Sequence, residues 1–491
     1  MGQCAIAAGR DTTLNAAEEI LRAGGNAFDA AVASTFTMFA SEPCMASAGA
    51  GGFAMCHSRE SGTHLLDFFT QTPISKEVQG TMDFHPIEVD FGTEKEIFHV
   101  GKASIAVPGV IAGIFEIHER YGTLPLSELV QHAKSAAQGV IVDDFGEIDL
   151  GLLQEIFRLE PEVKDIFFKD DRIKKKGDVI VYPHLSDFMD FLVAEGVRGF
   201  YAGDVGELVS KQISDGGGFL TRRDFEEYRV RWSHPMSLPY RGGNLLLPNG
   251  PSLGGAILAL LDRQSVVEDA PLAQVLLHVK EELHETGGVA ADMAKRLPEL
   301  SFNTQGTGSA TKGTSHFSIM DDSGNSIGLT ISIGEGSGYF IPGTDMQMNN
   351  MLGETYLLPG GAHSWEADRR LNSMMTPIML QDHEHNIRYV GGSGGAGRIP
   401  YVLFQVLEAI YGHDLPLMEA TLFPRMHWHD GVLHYEEGAD IRGALLDRVH
   451  KEWNEHSLFF GGVHSVMRGR DGHLEAAGDP RRFGVATTIQ R

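Results

Sequence analysis

Residues 27–40 are apolar or small on nearly every face, so a helix built from them has no side to give to water and must lie buried inside a layered core. Residues 13–23, just before it, carry apolar side chains at helical spacing and stop at Gly24-Gly25, a C-terminal cap, after which Asn26 can cap the second helix. A run of small residues at 46–52 leads into strands expected at 53–57 and 64–68. Pro108 and Gly109 start another helix that ends near Tyr121-Gly122, and 254–261 reads as one more.

After Ser301 the texture changes. Residues 301–313 are rich in Gly, Ser and Thr and read as a flexible loop. Strands are expected at 316–320 and 326–332, joined by the turn Asp321-Asp322-Ser323-Gly324-Asn325, and again at 374–380 and 387–390. A glycine cluster at 391–397 then opens a helix at 400–411, and a last hairpin pairs 463–467 with 474–477. No repeat of fixed period is visible. Antiparallel pairs following helices give α+β or layered α/β, and 491 residues allow about three domains or one large one.

Composition removes several function classes. With 40 Lys and Arg against 66 Asp and Glu, the formal charge is −26, and such a surface repels nucleic-acid backbones and anionic lipid. Cys4, Cys44 and Cys56 are odd in number and lack metal-ligand or redox spacing, so a reducing compartment fits and a disulfide framework does not. There is no basic segment followed by an apolar run near the start, Ile6 spoils a myristoylation reading of Gly2, and the apolar stretch 253–261 is too short to span a bilayer. The chain reads as cytoplasmic and soluble, with no membrane or nucleic-acid partner.

Gly391-Gly392-Ser393-Gly394-Gly395-Ala396-Gly397 fits more than one pattern. Gly391 to Gly395 matches G-x-S-x-G, with Ser393 as nucleophile and His427, His429 and Asp430 downstream. Gly392 to Gly397 matches a dinucleotide fingerprint, but Asp414-Leu415-Pro416 stands where an acidic strand end should follow, which removes it. A third reading needs only backbone amides, which cradle a developing negative charge at a helix start, and a fourth is close packing at a corner. Lesser features have plain readings: His427-Trp428-His429 lacks a third metal ligand, His383-Glu384-His385 is a solvated turn, Lys174-Lys175-Lys176 is an exposed face, and Met374-Met375 fills core.

At Gly313-Thr314-Ser315-His316 a polar loop ends at a hydroxyl residue that begins a strand. If the bond before Thr314 were cut, that residue would own both a hydroxyl and an α-amine of reference pKa near 7.7–8.0, able to act as its base. Gly313 offers a carbonyl without a side-chain barrier.

Ordered blocks then carry a resemblance: residues 17–27, Asp29-Ala30-Ala31, Gly51-Gly52-Phe53, Val107-Pro108-Gly109, Tyr121-Gly122-Thr123-Leu124-Pro125, residues 251–255 and 314–318, Asn349-Asn350 and residues 392–399. From about Ala5 onward the chain resembles the γ-glutamyltranspeptidase family of N-terminal nucleophile hydrolases. The resemblance implies an α+β, four-layer αββα sandwich, made as a precursor that cuts itself between Gly313 and Thr314 into a large subunit, 1–313, and a small subunit, 314–491, intertwined in one unit. It implies Thr314 as nucleophile, Ser332 as the hydroxyl that orients it, Gly395 and Ala396 as oxyanion amides, and Ser373 as a contact to a substrate carboxylate. No cofactor and no metal belong to that chemistry.

The departures concern the acyl group. Phe69 stands where the family places an Arg for the α-carboxylate of a γ-glutamyl group, and Met374 replaces the second of two serines. Contacts to the α-amine are expected near Gly334 and Gly353, which have no side chains; Glu354 or Glu335 can substitute. Losing one charge-assisted contact costs about 1.5–3 kcal/mol, about 10- to 150-fold in affinity. The expectation is an autoprocessed threonine amidohydrolase or acyltransferase acting on a γ-glutamyl or related amide, with a rebuilt, more apolar acyl pocket. The alternatives are an acylase for a non-glutamyl group, an inactive relative that binds a small acid, and a Ser393 hydrolase; a homodimer of the subunit pair is left open.

Overall fold

The computed structural model describes residues 2–90, 95–268, 271–285, 313–354, 357–358, 361–429, 431–441 and 448–491. The loop expected at 301–313 lies outside them except for Gly313, as does Asp430.

In chain order the strands of the two central sheets are β1 (Gln3–Ala8), β2 (Gly51–Ser58), β3 (Gly62–Phe68), β4 (Arg231–Ser233), β5 (Met236–Tyr240), β6 (Gly243–Leu247), β7 (Thr314–Met320), β8 (Ser326–Ser332), β9 (Ile378–Asp382), β10 (Ile387–Gly394), β11 (Gly462–Arg468), β12 (Leu474–Ala477) and β13 (Val485–Gln490). One sheet has the order β4-β3-β2-β8-β7-β1-β13 and the other β5-β6-β9-β10-β11-β12. All neighbours in both are antiparallel.

The helices supply the outer layers. Helix α1 (Asp11–Arg22), α2 (Ala27–Ser41) and α3 (Val110–Tyr121) pack Leu14, Val32 and Ile114 onto Ile6, Phe317 and Leu329 of the first sheet. As expected, α2 is buried along almost its whole length. Gly24, at φ 103°, ends α1, while Asn26 and Asp29 form a reciprocal cap at the start of α2. On the other side α4 (Leu253–Glu268) and α5 (Ile399–Tyr411) cover the second sheet, with Leu258, Val402 and Leu403 on Leu245, Tyr389 and Val463. Between the sheets lie Phe53, Met55, Met320, Met379, Val390 and Val466. The molecule is therefore an α+β, four-layer αββα sandwich.

Two local expectations are corrected. The strand expected at 374–380 begins only at Ile378, because Pro377 has no amide to give and the Ser252 and Thr376 hydroxyls bond to the carbonyls of Met375 and Met374. Lys174 is buried rather than exposed: its Nζ donates to the carbonyls of Ile166 and Asp165 at the end of a short helix.

Candidate active site

Strand periodicity decides which way the junction residues point. Along β7, Phe317 and Ile319 face the helices, so Thr314, His316, Ser318 and Met320 face the second sheet. Ser315 turns the other way and donates to Glu42 at 2.5 Å. The inter-sheet side of β7 carries a polar stripe inside the core. His316 shares hydrogen bonds with Thr330 at 2.8 Å and Ser318 at 2.9 Å, and burial, then His464, pushes its pKa well below the usual range. Gly392 is required beside it, since a Cβ there would sit 2.3 Å from the imidazole.

Thr314, 1% exposed, opens β7 opposite Ser332 at the end of β8. Ser332 Oγ donates to the Gly313 carbonyl at 2.8 Å and accepts the Gly334 amide at 3.1 Å. A Cβ on Gly313 would lie 1.9 Å from the Gly334 carbonyl oxygen and 2.8 Å from that of Cys44, so no other residue fits. Cys44 also lines a cavity of about 170 Å³ with Arg10, Glu42 and Asp149. Burial pushes the Asp149 carboxyl up to about 7, against the opposing pull of Arg10 and Arg482.

The glycine turn comes up against the same residue. A Cβ on Gly394 would lie 2.3 Å from the Thr314 carbonyl oxygen. Gly395 (φ 114°) and Ala396 (φ 59°) are both left-handed, a conformation a non-glycine residue adopts only when its surroundings hold it there, and the chain then enters α5. Gly394 thus stands against Thr314, and the next two amides lie at the start of the helical segment that follows, the kind of position that favours a negative charge. Ser393 faces the opposite side of β10. Its hydroxyl is fully buried, donates to the Gly394 carbonyl and accepts the Gly462 amide, which takes away its candidacy as nucleophile.

Glu354 reaches the junction from the loop after Asn349-Asn350. The Asn350 side chain accepts the Glu335 amide at 2.8 Å, and a Cβ on Gly334 would be 2.2 Å from Asn350 Oδ1 and 2.4 Å from Glu354 Oε1. Among the described residues, both oxygens of the fully buried Glu354 carboxyl lack a hydrogen-bond partner. Burial, and after it Glu335 and Glu96, hold its pKa well above the usual carboxylate range. Gly353 admits no side chain, because a Cβ there would be 1.9 Å from the His99 carbonyl oxygen.

The remaining candidates lie in packed surroundings. Phe69 stacks on Phe53 at 5.6 Å in the inter-sheet core. Beside it stands an arginine the sequence did not point to. Arg370 donates to Asp67 at 3.1 Å and to the carbonyls of Phe69 and Arg229, each at 2.7 Å, which commits its guanidinium. Ser373 pairs with the Pro251–Leu253 backbone just ahead of α4, and its hydroxyl accepts the Met375 amide. Met374 packs beside the Leu253–Leu261 side of α4. Arg482, also unforeseen, donates to the Thr314 carbonyl at 3.1 Å. No local pattern marks either arginine, because each contact closes over a long stretch of chain.

His427 is buried and its pKa is lowered first by burial, then by Lys280 and Arg398. Among the described residues no group of three His, Cys, Asp or Glu is set to hold a metal, and no helix is long and apolar enough to cross a membrane.

A model of the family described as gamma-glutamyltranspeptidase matches residues 14–287 and 268–489. The chain is 27% identical to a glutathione hydrolase proenzyme of Pseudomonas aeruginosa, spanning 99% of this chain and 94% of that protein. It is 26% identical to an acylase ACY 1 proenzyme of Pseudomonas sp. (strain SE83), over 96% and 91%. A crystal structure of cephalosporin acylase from Bacillus halodurans superposes with a TM-score of 0.81 at 21% identity, covering 99% of this chain and 96% of that one, a likeness of fold.

Proposed function

The chain belongs to the γ-glutamyltranspeptidase family, and from that premise we propose that it is a self-cleaving threonine amidohydrolase or acyltransferase acting on small amides. Relatives named as proenzymes support a precursor cut into two subunits. The cut falls between Gly313 and Thr314, giving 1–313 and 314–491. One observation carries the reading: Ser332 Oγ donates to the Gly313 carbonyl at 2.8 Å, polarising the very amide whose cleavage would free the Thr314 nitrogen.

In the precursor, Thr314 Oγ1 adds to that carbonyl, the peptide nitrogen leaves with a proton, and water hydrolyses the resulting ester. In turnover, Thr314 Oγ1 adds to the substrate carbonyl carbon while its α-amine takes the hydroxyl proton. The amine hands that proton to the departing nitrogen, and the acyl ester passes to water or to a second amine. Gly395 and Ala396 amides hold the oxyanion.

The acyl group carries an amine and no carboxylate. Glu354 offers an ammonium group two oxygens that have no partner among the described residues. On the side where a γ-glutamyl group would need a cation, Phe69 is packed into the core and Arg370 is committed to Asp67. Ser373 is the remaining polar contact, with Met374 as apolar wall.

Denaturing electrophoresis and intact mass are expected to give two fragments from the wild type and one uncut, inactive chain from Thr314→Ala. Uncut wild type that still turns over an amide ends this reading. Light scattering on the cleaved protein tests a homodimer of the pair.

A further inference from the structure

The C-terminal turn sends a charged side chain to the residue on which the proposed chemistry depends. Asp479 receives the amides of Val463 and Arg481, each at 3.0 Å, which fixes the single turn Pro480–Arg482. From there the Arg482 stem crosses Gly462, where a Cβ would lie 2.7 Å from its own, and the guanidinium passes Gly394, where a Cβ would lie 2.7 Å from Nη1. Two glycines thus clear the path along which Nη1 reaches the Thr314 carbonyl, at 3.1 Å.

A neutral donor would satisfy a carbonyl at far lower desolvation cost than a buried guanidinium, whose penalty is several kcal/mol. The surroundings are mixed. Burial, with Arg398 and Arg10 adding to it and Asp149 and Glu335 opposing, brings the Arg482 pKa down to about 10, so it stays charged at neutral pH.

We infer that Arg482 is a positioning residue for Thr314, clamping its carbonyl once the upstream peptide bond is gone and biasing the freed α-amine toward its neutral, proton-accepting form. The inference rests on the assignment of Thr314 as nucleophile. A free α-amine with its reference pKa near 7.7–8.0 is largely protonated at neutral pH and cannot take the hydroxyl proton. A cation fixed one carbonyl away penalises a second positive charge there. Among the described residues, the charged and titratable groups around the junction are Arg482 from the C-terminal turn, Arg398 ahead of α5 and Arg10 ahead of α1, against Glu335 after β8, Glu354 beside Gly334, Glu42 under Ser315, and Asp149, with the Cys44 thiol and the His316 imidazole as further titratable groups. Removing Arg482 alone subtracts one positive charge, so the amine pKa must rise.

The test uses full-length, self-cleaved protein and the pH dependence of kcat/KM on a chromogenic amide that the wild type turns over. R482Q is expected to move the acidic limb up by about one pH unit, lowering kcat at pH 7 about tenfold while KM changes less than about threefold. R482K, which keeps the charge on a shorter reach, is expected to hold the limb within about 0.3 unit and lose mainly kcat. Coincident limbs in R482Q and wild type overturn the inference. Should R482Q stay uncut, R482K decides alone, and a limb raised there by about one unit overturns it. Wild type that is itself uncut, or that is acylated elsewhere than on Thr314, sinks the nucleophile assignment instead.

Discussion

Two buried clusters of charge stand in contrast. In the first, Arg425 meets Asp479 at 2.5 Å, and Arg481 meets Asp479 at 3.3 Å and Glu436 at 2.5 Å. Burial alone would raise both carboxyls, yet the two arginines hold Asp479 and Glu436 below the ordinary range. In the second, Glu354 lies among like charges, Glu335 and Glu96, and both its oxygens are without a partner among the described residues. The first cluster spends its charges inside the protein and fixes a turn. The second holds an acid that folding does not satisfy, and a site that folding leaves unsatisfied is one a ligand can complete.

Breaking the paired cluster should have the largest effect. Asp479→Ala leaves the buried Arg425 guanidinium without its carboxylate and Arg481 with Glu436 alone, an expected loss of about 3–5 kcal/mol read from denaturant unfolding. The open cluster should respond in function instead. Glu354→Gln is expected to leave stability within about 1 kcal/mol of wild type while turnover of amine-bearing acyl amides falls about 10- to 100-fold. Equal loss on an acyl amide without an amine would break the contrast.

The smallest effect sharpens it through pH. Asp479 and Glu436 have depressed pKa values, so their contribution is present above the unfolded carboxylate range and lost as pH falls through the folded values. Asp149 is opposite in sign. With its pKa raised to about 7, the folded chain keeps a proton the unfolded chain releases, and stability declines as pH rises from about 4 to 7. Asp149→Asn is expected to flatten that decline and add about 1–2 kcal/mol at pH 7, measured by urea unfolding across the window. An unchanged slope would remove Asp149 from the account.

Much of this was legible in residue order. The strands Ser326–Ser332 and Leu474–Ala477 begin and end where alternation and turns placed them, and α2 is buried as its composition required. The glycine cluster could be seen as a corner, but period-two alternation had to be anchored in real sheets before Ser393 could be placed on the far side of β10 from Thr314. Arg370 and Arg482 had no local signature. Their contacts join residues 303 and 168 positions apart, and only the closed sandwich brings such pairs together. Lys174 misled for a different, local reason: a run of three lysines looks solvated until a short helix just upstream offers its carbonyls.

The strand order carries a mechanical consequence. In the first sheet β1 lies between β7 and β13, and β2 lies beside β8, so the parts before and after Gly313 alternate like the teeth of a zip. A chain severed at that glycine would remain one particle in native buffer, because parting the halves means opening four hydrogen-bonded ladders together, three in the first sheet and that of β6 with β9 in the second. Denaturant would separate them, and reunion would demand pairing between two free polypeptides, a slow and concentration-dependent event.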